Sequence, residues 1–219
     1  MASTSSSSSS SSTSAARRLP KRQTALVIVD MISCWDFPDA EHLLPAAHAI
    51  TPRIAALKRR CQQQGVPVIY TNDNRGRWQS DFSSLVALSL KCGGEIAEIT
   101  QALRPDEDDY FVLKPKQSAF FGTPLELLLQ HLGVSRLIVT GVSSDQCVLT
   151  TAVEAGMRDL KVVVPKDCVA SQTEERNRAV LLQLEQAHKL PTTTGSRIRL
   201  SESAEKKTNT ASTVASGRR

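Results

Sequence analysis

The fold is decided by the stretch LIVTGVSSDQCVLTTAVEAGMR at residues 137–158. Its first four residues are a continuous apolar run rich in β-branched side chains, which is typical of a strand covered on both faces. A short turn containing Gly141 follows, and the remainder has the spacing of an amphipathic helix. The stretch therefore predicts a buried strand that leads through a tight turn into a helix, as in a parallel sheet.

The same alternation of patterns extends in both directions along the chain. Strand-like runs lie at residues 25–29, 67–71, 110–113, 137–140, 161–164 and, weakly, 197–200. Helix-like patterns lie at about 45–64, 94–103, 123–132, 146–158 and 174–188. Strands that alternate with helices favour an α/β domain with one parallel sheet. Residues 72–93 do not fit the alternation, so we expect an irregular functional loop there, a lid over the site.

The two ends of the chain differ from its middle. With 219 residues the chain is long enough for one ordinary domain, which we place at residues 24–200. Residues 1–23 are Ser-rich and residues 201–219 are polar, so we expect both ends to be disordered. The leader lacks the apolar segment of a secretory signal. A flexible leader on a cytoplasmic protein is expected, and an organellar transit peptide remains the alternative.

Charge and cysteine content exclude several classes of function. The net charge is +5, but the two ends carry an excess of six positive charges, so the middle is about neutral. A neutral domain does not predict nucleic acid as a partner, and the short apolar runs do not predict a membrane span. The five cysteines are widely spaced and contain no CxxC motif. This pattern argues against a disulfide framework and a structural zinc site and is typical of a reducing compartment.

Chemically active residue types directly follow three of the predicted strands. Asp30 follows the first, Lys114 follows the third, and Cys147 lies just beyond the fourth. The carboxyl ends of parallel strands meet at one edge of a sheet, so we expect these side chains to converge there. Taken singly, the residues have structural interpretations as a helix cap, a solvated charge and a small core residue. Their joint placement favours a catalytic site.

Cys147 is expected to occupy the first turn of a helix. The unpaired backbone amides and the positive end of the helix dipole there favour the thiolate, the nucleophilic form of cysteine. The same amides could face the oxyanion of a tetrahedral intermediate. Gly141 permits the tight exit from the strand.

Three motifs, in order and at suitable spacings, resemble those of the isochorismatase-like cysteine hydrolases. They are ALVIVDM with Asp30, DYFVLKPKQSAFFGTPL with Lys114, and LIVTGVSSDQCVLTTAVEAGMR with Cys147. The segment VVPKDCVAS after the fifth strand is also similar to the family. The resemblance implies a three-layer α/β/α fold with a six-stranded parallel sheet in the order 3-2-1-4-5-6. It further implies a homo-oligomer, a dimer or tetramer.

The resemblance also implies a mechanism. Asp30 is the implied general base, Lys114 stabilises charge, and Cys147 attacks a carbonyl carbon. A non-proline cis peptide is implied between Val142 and Ser143, with the amides of Ser143 and Cys147 as the oxyanion hole. The residues themselves agree, because a desolvated carboxylate at the end of a buried strand can take the thiol proton.

The chain departs from two branches of that family. Nicotinamidases carry an Asp-x-His and a further His after the second strand, which bind a divalent metal. Here that segment reads TNDNRGRWQSDF, without histidine. We therefore predict no metal and no other cofactor, and we do not expect nicotinamide as the substrate. Isochorismatases proper lack the nucleophilic cysteine, so Cys147 argues against their reaction as well.

The expected substrate is a small amide or ureide. The predicted pocket residues are Phe37, Asn74, Arg77, Trp78 and Phe120. Phe120 has a second interpretation as a core or subunit-interface residue, and Arg75 or Arg77 could clamp a carboxylate. The alternative function is a non-catalytic binding or interaction protein on the same fold. A dehydrogenase is disfavoured because no GxGxxG motif follows the first strand.

Overall fold

A computed structural model of the chain describes residues 23–76, 78 and 81–200. Its sheet has five parallel strands: β1 (Gln23–Val29), β2 (Val68–Asp73), β3 (Tyr110–Lys114), β4 (Val134–Gly141) and β5 (Lys161–Val163). Their order is β3-β2-β1-β4-β5, which confirms the predicted α/β class and the order of the first five strands. Gln23, which we assigned to the leader, begins β1. The expected disorder of residues 1–22 and 201–219 lies outside the described residues.

Helices cover both faces of the sheet. They are α1 (Ala40–Gln63), α2 (Phe82–Lys91), α3 (Gly94–Ala102), α4 (Leu125–His131), α5 (Leu149–Gly156) and α6 (Glu174–Gln186). Leu26 and Ile28 of β1 pack into a core with α1, α2 and α3, whereas Val27 and Val29 pack into a second core with α4, α5 and α6. Side chains alternate between the faces of a strand. Residues 25–29 of the central strand are all apolar because both of its faces are buried.

No helix within the described ranges is both long and apolar enough to cross a bilayer. Apart from α2, the helices lie close to the sequence patterns, and the largest shift is at the N-terminus of α1. Helix α1 begins at Ala40, five residues before the predicted start, and contains Pro45 in its interior. Proline is common in the first turn of helices, so the predicted start at about residue 45 coincided with Pro45.

The weakly predicted sixth strand at residues 197–200 is not formed within the described residues. A short 3-10 helix occupies Gly195–Arg197 instead. The side chain of Arg60 donates hydrogen bonds to the carbonyls of Gly195 and Ile198, at 2.8 and 2.9 Å. Arg136 donates to the carbonyl of Arg199 at 2.6 Å. These carbonyls therefore find arginine side chains rather than a neighbouring strand as their partners, while Ile198 is buried in the core.

The expected lid at residues 72–93 is also corrected, because half of it is helical. Helix α2 lies inside this segment. Asp81 caps it, with its carboxylate accepting a hydrogen bond from the amide of Ser84 at 2.8 Å. Phe82, Leu85 and Ser89 are buried at the i, i+3 and i+7 spacing of one helix face. The helix was missed because three serines dilute its apolar pattern.

Candidate active site

The carboxyl ends of three strands bring Asp30, Lys114 and Cys147 into contact. The Nζ atom of Lys114 lies 2.8 Å from Oδ2 of Asp30 and 3.4 Å from Sγ of Cys147. Asp30 follows β1, Lys114 ends β3, and Cys147 follows β4, so the convergence comes from the parallel sheet itself. An acid, an amine and a thiol therefore share one small site, in the arrangement expected from the sequence. We call these three residues the triad.

Asp30 is fixed from both its backbone and its side chain. Its φ angle is 52°, in the left-handed region, which aspartate tolerates better than most residues. Its amide donates to the carbonyl of Thr71 at 2.9 Å. The Oδ1 atom accepts a hydrogen bond from the amide of Asp73 at 2.7 Å. The carboxylate is thus held in one orientation with Oδ2 toward Lys114.

Lys114 is completely buried, and its ammonium group has a partner in each of three directions. Besides Asp30 and Cys147, it donates to the carbonyl of Lys116 at 3.4 Å. Burial acts to lower the pKa of Lys114, but the negative charges of Asp30 and of a Cys147 thiolate outweigh it, so the pKa is raised. The lysine therefore stays protonated and serves as a fixed positive charge.

Cys147 lies in a π-helical turn, Ser144–Val148, that leads directly into α5. Burial and the neighbouring charge of Asp30 raise the pKa of Cys147 to about 12, against the opposing effect of Lys114. The resting sulfur is thus a thiol rather than the thiolate expected from its helical position, because burial and Asp30 outweigh the helix terminus. Asp30, the carboxylate that can take its proton, contacts the same Lys114 ammonium as Cys147 does. The residue is half-buried, so a small substrate has access to it.

The loop between β4 and the π-helical turn presents a backbone amide without a partner. The peptide bond between Val142 and Ser143 is cis, at the position that the family resemblance implies. The amide of Ser143 donates to no oxygen among the described residues, whereas its carbonyl accepts from the amides of Gln146 and Val148. The Ser143 amide and that of Cys147, in the first turn, are the candidate oxyanion donors.

Gly141 allows the close approach of β4 to β1 just before this loop. Its φ angle is 104°, and a Cβ atom there would lie 2.1 Å from the carbonyl oxygen of Val29. Any side chain at this position would separate the two strands that carry Asp30 and Cys147. The glycine is therefore required by the geometry of the site.

Asp145 organises the same loop, and the sequence interpretation missed it. Its carboxylate accepts hydrogen bonds from the hydroxyl of Ser143, from the hydroxyl of Ser171 at 2.6 Å and from Nε of Arg176 at 2.7 Å. Burial acts to raise the pKa of Asp145, but these hydrogen bonds outweigh it and the pKa is lowered. Its position two residues before Cys147 was a signal of a role near the site. Its partners Ser171 and Arg176 could not be found from local sequence, because they lie 26 and 31 residues away in the chain.

Two of the predicted pocket residues have partners within the protein. Asn74 is buried, and its side-chain oxygen accepts a hydrogen bond from the backbone amide of Gly76 at 2.9 Å. The backbone amide of Asn74 donates to the carbonyl of Lys114. Phe120 is only 5% exposed and packs in the core beneath α4, with the guanidinium of Arg158 at 4.6 Å from its ring centre. Phe120 is therefore a core residue, the second of its two interpretations, and Asn74 shapes the turn after β2.

The remaining predicted pocket residues lie at the periphery or outside the described chain. Phe37 is partly exposed, and its ring lies 5.8 Å from that of Trp35. Trp78 is 81% exposed. Arg77 lies outside the described residues. Arg75 forms an ion pair with Asp36, which links the loop after β1 to the loop after β2.

Two buried polar atoms on these loops lack a partner among the described residues. They are Nε1 of Trp35, on the loop after Asp30, and Oδ1 of Asn72, at the end of β2. The Nδ2 atom of Asn72 donates to the carbonyl of Ile32 at 2.7 Å, which joins the two loops. Buried polar atoms are usually hydrogen-bonded, so these two atoms are exceptions.

The residues after β2 do not fit the divalent metal site of the nicotinamidases. This segment offers Asn72, Asp73 and Asn74, and the Oδ1 atom of Asp73 accepts a hydrogen bond from the amide of Arg75 at 2.5 Å. No histidine lies there. Among the described residues, the histidine and carboxylate groups close enough to share an ion are Asp39, Glu41 and His42, all exposed at the start of α1. We therefore derive no catalytic step through a metal.

The names of several relatives concern activity, and two of them point in opposite directions. N-carbamoylsarcosine amidase of an Arthrobacter species is 26% identical over 160 residues, covering 68% of this chain and 60% of that protein. A probable inactive nicotinamidase of Arabidopsis thaliana is 31% identical over 173 residues, covering 74% of this chain and 88% of that protein. Similar proteins thus include both a named amidase and a protein described as inactive.

Family-level similarity covers most of the chain. The isochorismatase domain model matches residues 24–196. The uncharacterized isochorismatase family protein YaaI of Bacillus subtilis is 39% identical over 168 residues, covering 76% of this chain and 91% of that protein. The crystal structure of an isochorismatase family protein from Desulfovibrio vulgaris aligns with a TM-score of 0.65 and 28% identity, over 80% of this chain and 96% of that chain. The chain therefore belongs to the isochorismatase family, which includes amidases.

Proposed function

We propose that this protein is a cysteine-dependent hydrolase that cleaves the C–N bond of a small amide or carbamoyl compound through a thioester on Cys147. The observation that carries the proposal is the position of the Lys114 ammonium, which contacts the Asp30 carboxylate and the Cys147 sulfur at once. A purely structural ion pair has no need of a thiol as a third member. A nucleophile, a base and a charge-stabilising group within reach of one another are the minimum for acyl transfer.

In the acylation step, the sulfur of Cys147 attacks the carbonyl carbon while Asp30 accepts the thiol proton. The carbonyl π electrons move to oxygen, where the amides of Ser143 and Cys147 can donate hydrogen bonds to the oxyanion. When the tetrahedral intermediate collapses, the C–N bond breaks and Asp30 returns the proton to the leaving nitrogen. Lys114 remains protonated throughout and offsets the negative charge that moves between Asp30 and the sulfur.

In the deacylation step, Asp30 removes a proton from water, and the oxygen attacks the thioester carbon. The C–S bond then breaks, the sulfur takes the proton back from Asp30, and the acid product leaves. The same carboxylate thus serves as base and acid in both halves of the reaction. The raised pKa of Cys147 is compatible with this cycle, because the sulfur is charged only during the transfer.

The proposed substrate class rests on the site and on the relatives. The site offers a thiol at Cys147, a carboxylate at Asp30 and a backbone amide at Ser143 with no partner among the described residues. These groups suit attack on the carbonyl of an amide, a ureide or a carbamoyl compound. The similarity to N-carbamoylsarcosine amidase supports the same class.

The test is ammonia release from a panel of simple amides, N-carbamoyl compounds and nicotinamide, combined with mass spectrometry of the Cys147 peptide. We expect release from at least one amide or carbamoyl compound and an acyl adduct on Cys147 after rapid acid quenching. The control is Cys92→Ala, which removes an exposed thiol that lies apart from the triad and should leave release unchanged. An adduct on Cys92 alone, or release that persists in Cys147→Ala, would contradict the proposal.

A second candidate is a non-catalytic binding protein that retains the triad for structure. The observation in its favour is the 31% identity to the relative described as a probable inactive nicotinamidase. This candidate predicts that amides raise the melting temperature of the protein without ammonia release or any adduct on Cys147. Thermal melting in the presence of the same panel therefore separates the two functions.

A further inference from the structure

We propose that Asp145 and Arg176 are positioning residues that hold the Ser143 amide in place as an oxyanion donor. The inference rests on the proposed function and assigns the cluster beside the triad a part in the same reaction. Neither side chain contacts the triad; both act through Ser143.

Ser143 is held at two of its three polar groups. Its carbonyl accepts from the amides of Gln146 and Val148 at 3.1 and 3.2 Å, and its hydroxyl donates to the carboxylate of Asp145. The serine side chain has a single rotatable bond to its Cα atom, so fixing the hydroxyl restrains the main chain as well. The amide is the group that remains without a partner among the described residues.

Arg176 fixes Asp145 from a different element of the fold. It lies in the first turn of α6, and its Nε and a terminal nitrogen lie 2.7 and 2.5 Å from Oδ2 of Asp145. Ser171, on the loop before α6, donates to Oδ1 of the same carboxylate. The segment from Val142 to Asp145, here called the oxyanion loop, is thereby tied to α6 by charge-assisted hydrogen bonds. Such bonds are stronger than neutral ones.

Arg176 also compensates a charge that would oppose the reaction. Asp145 is ionised, since its hydrogen bonds lower its pKa, and it lies in the same helical turn as Cys147. A bare carboxylate there would repel the oxyanion that forms when the sulfur attacks a carbonyl. Pairing with Arg176 cancels most of this repulsion while leaving the carboxylate able to hold Ser143.

Two reagents distinguish stabilisation of the oxyanion from reactivity of the sulfur. With p-nitrophenyl acetate, a C–S bond forms, the carbonyl passes through an oxyanion, p-nitrophenolate leaves and the thiol proton goes to Asp30. With iodoacetamide, the thiol first loses its proton to water, a C–S bond then forms as iodide leaves, and no oxyanion appears. The ratio of acylation rate to alkylation rate at Cys147, followed by peptide mapping, therefore isolates the oxyanion contribution.

We expect Asp145→Asn and Arg176→Met to lower this ratio roughly tenfold or more, since loss of a complete oxyanion donor costs about 100-fold to 1000-fold. Arg176→Lys should restore part of the loss because it retains the charge. The matched control is Arg178→Met, which removes an exposed arginine of α6 that pairs with Glu174, and it should leave the ratio unchanged. Circular dichroism at the assay temperature verifies that each variant is folded.

The possible outcomes separate this inference from the function on which it rests. If wild-type Cys147 reacts with both reagents but the ratio is unchanged in Asp145→Asn and Arg176→Met, the inference is overturned. A folded variant that loses acylation and alkylation equally also overturns it, because the effect is then on the sulfur. If wild-type Cys147 reacts with neither reagent, the proposed hydrolase function itself fails, and this inference with it.

Discussion

Two lysines of this domain are almost completely buried, and they differ in their partners. Lys58 of α1 lies 2.9 Å from carboxylate oxygens of both Asp106 and Asp109, and it donates to the carbonyl of Arg104 at 2.5 Å. Lys114 has one carboxylate partner, Asp30, together with a thiol and a more distant carbonyl. The hydrogen-bond partners of Lys58 are all oxygen atoms within 2.9 Å. One hydrogen-bond partner of Lys114 is instead the sulfur atom of Cys147.

Under the proposed function, Lys58 belongs to a structural ion pair and Lys114 to a catalytic one. A buried ammonium is stabilised when every N–H group has a good acceptor, and Lys58 meets this requirement. Its surroundings fasten α1 to the segment before β3, whereas Lys114 stands at the other end of that strand. Lys114 has a poorer partner in Cys147, which the proposed role in charge transfer would explain. The following predictions test this distinction, beginning with the largest expected effect.

Replacing the nucleophile has the largest expected effect on activity and little on folding. Cys147→Ala should reduce amide turnover by at least roughly a thousandfold, because covalent catalysis is lost. The melting temperature should change little, since the sulfur contributes to no ion pair of its own. Ammonia release and thermal melting measure the two quantities. Residual turnover above about a tenth of the wild-type rate would remove Cys147 from the mechanism.

Replacing either buried lysine should destabilise the fold by a similar amount. Lys58→Met leaves Asp109 buried without its cation, and Lys114→Met does the same to Asp30. Breaking a buried pair on one side costs about 3 to 5 kcal/mol of unfolding free energy, which urea titration measures.

Only one of the two substitutions should change the reactivity of Cys147. Lys114 acts to lower the pKa of Cys147, so Lys114→Met should slow its alkylation by iodoacetamide, whereas Lys58→Met should not. The rates are compared at a low temperature where both variants remain folded by circular dichroism. Equal slowing in both variants would show that the distinction between the lysines is wrong.

Replacing the base should move two measurements in opposite directions. Asp30→Asn removes a charge that raises the pKa of Cys147, so alkylation by iodoacetamide at neutral pH should become faster. Amide turnover should nevertheless fall by about 100-fold or more, because no group remains to carry the proton. Slower alkylation together with slower turnover would mean that Asp30 supports the fold rather than the proton transfer.

The smallest expected effect is on the pH dependence of the alkylation rate at Cys147. Because burial raises the pKa of Cys147 to about 12, its alkylation rate should still rise steeply between pH 9 and pH 10. An ordinary thiol, with a pKa of about 8.5, has nearly reached its limiting rate there. Peptide mapping after timed labelling measures the rate at this residue alone. A rate at Cys147 that levels off near pH 9 would contradict the environment described for the sulfur.

The triad could be inferred from the sequence because a parallel sheet converts position along the chain into position in space. Asp30, Lys114 and Cys147 each follow an apolar run, and the ends of parallel strands necessarily share an edge. The fold class was accessible for the same reason, since buried strands have a distinctive composition.

The remaining features depend on contacts between elements that local patterns do not encode. Arg176 reaches Asp145 only because α6 packs against the oxyanion loop, and Lys58 reaches Arg104 across 46 residues of chain. The raised pKa of Cys147 depends on burial, which a helical position alone does not predict. The predicted sixth strand is absent from the described residues, where the carbonyls of Gly195, Ile198 and Arg199 accept hydrogen bonds from arginine side chains instead.

The short last strand of the sheet also limits unwanted association. Strand β5 has three residues, and Pro165 soon after it has no N–H group to offer. Between them, the amide of Val164 donates to the carbonyl of Pro191 at 3.0 Å. Few backbone donors are therefore exposed along this margin, and a foreign strand has little to pair with. Within residues 81–200 no further strand covers this edge, and an edge with few free donors is a poor template for edge-to-edge aggregation.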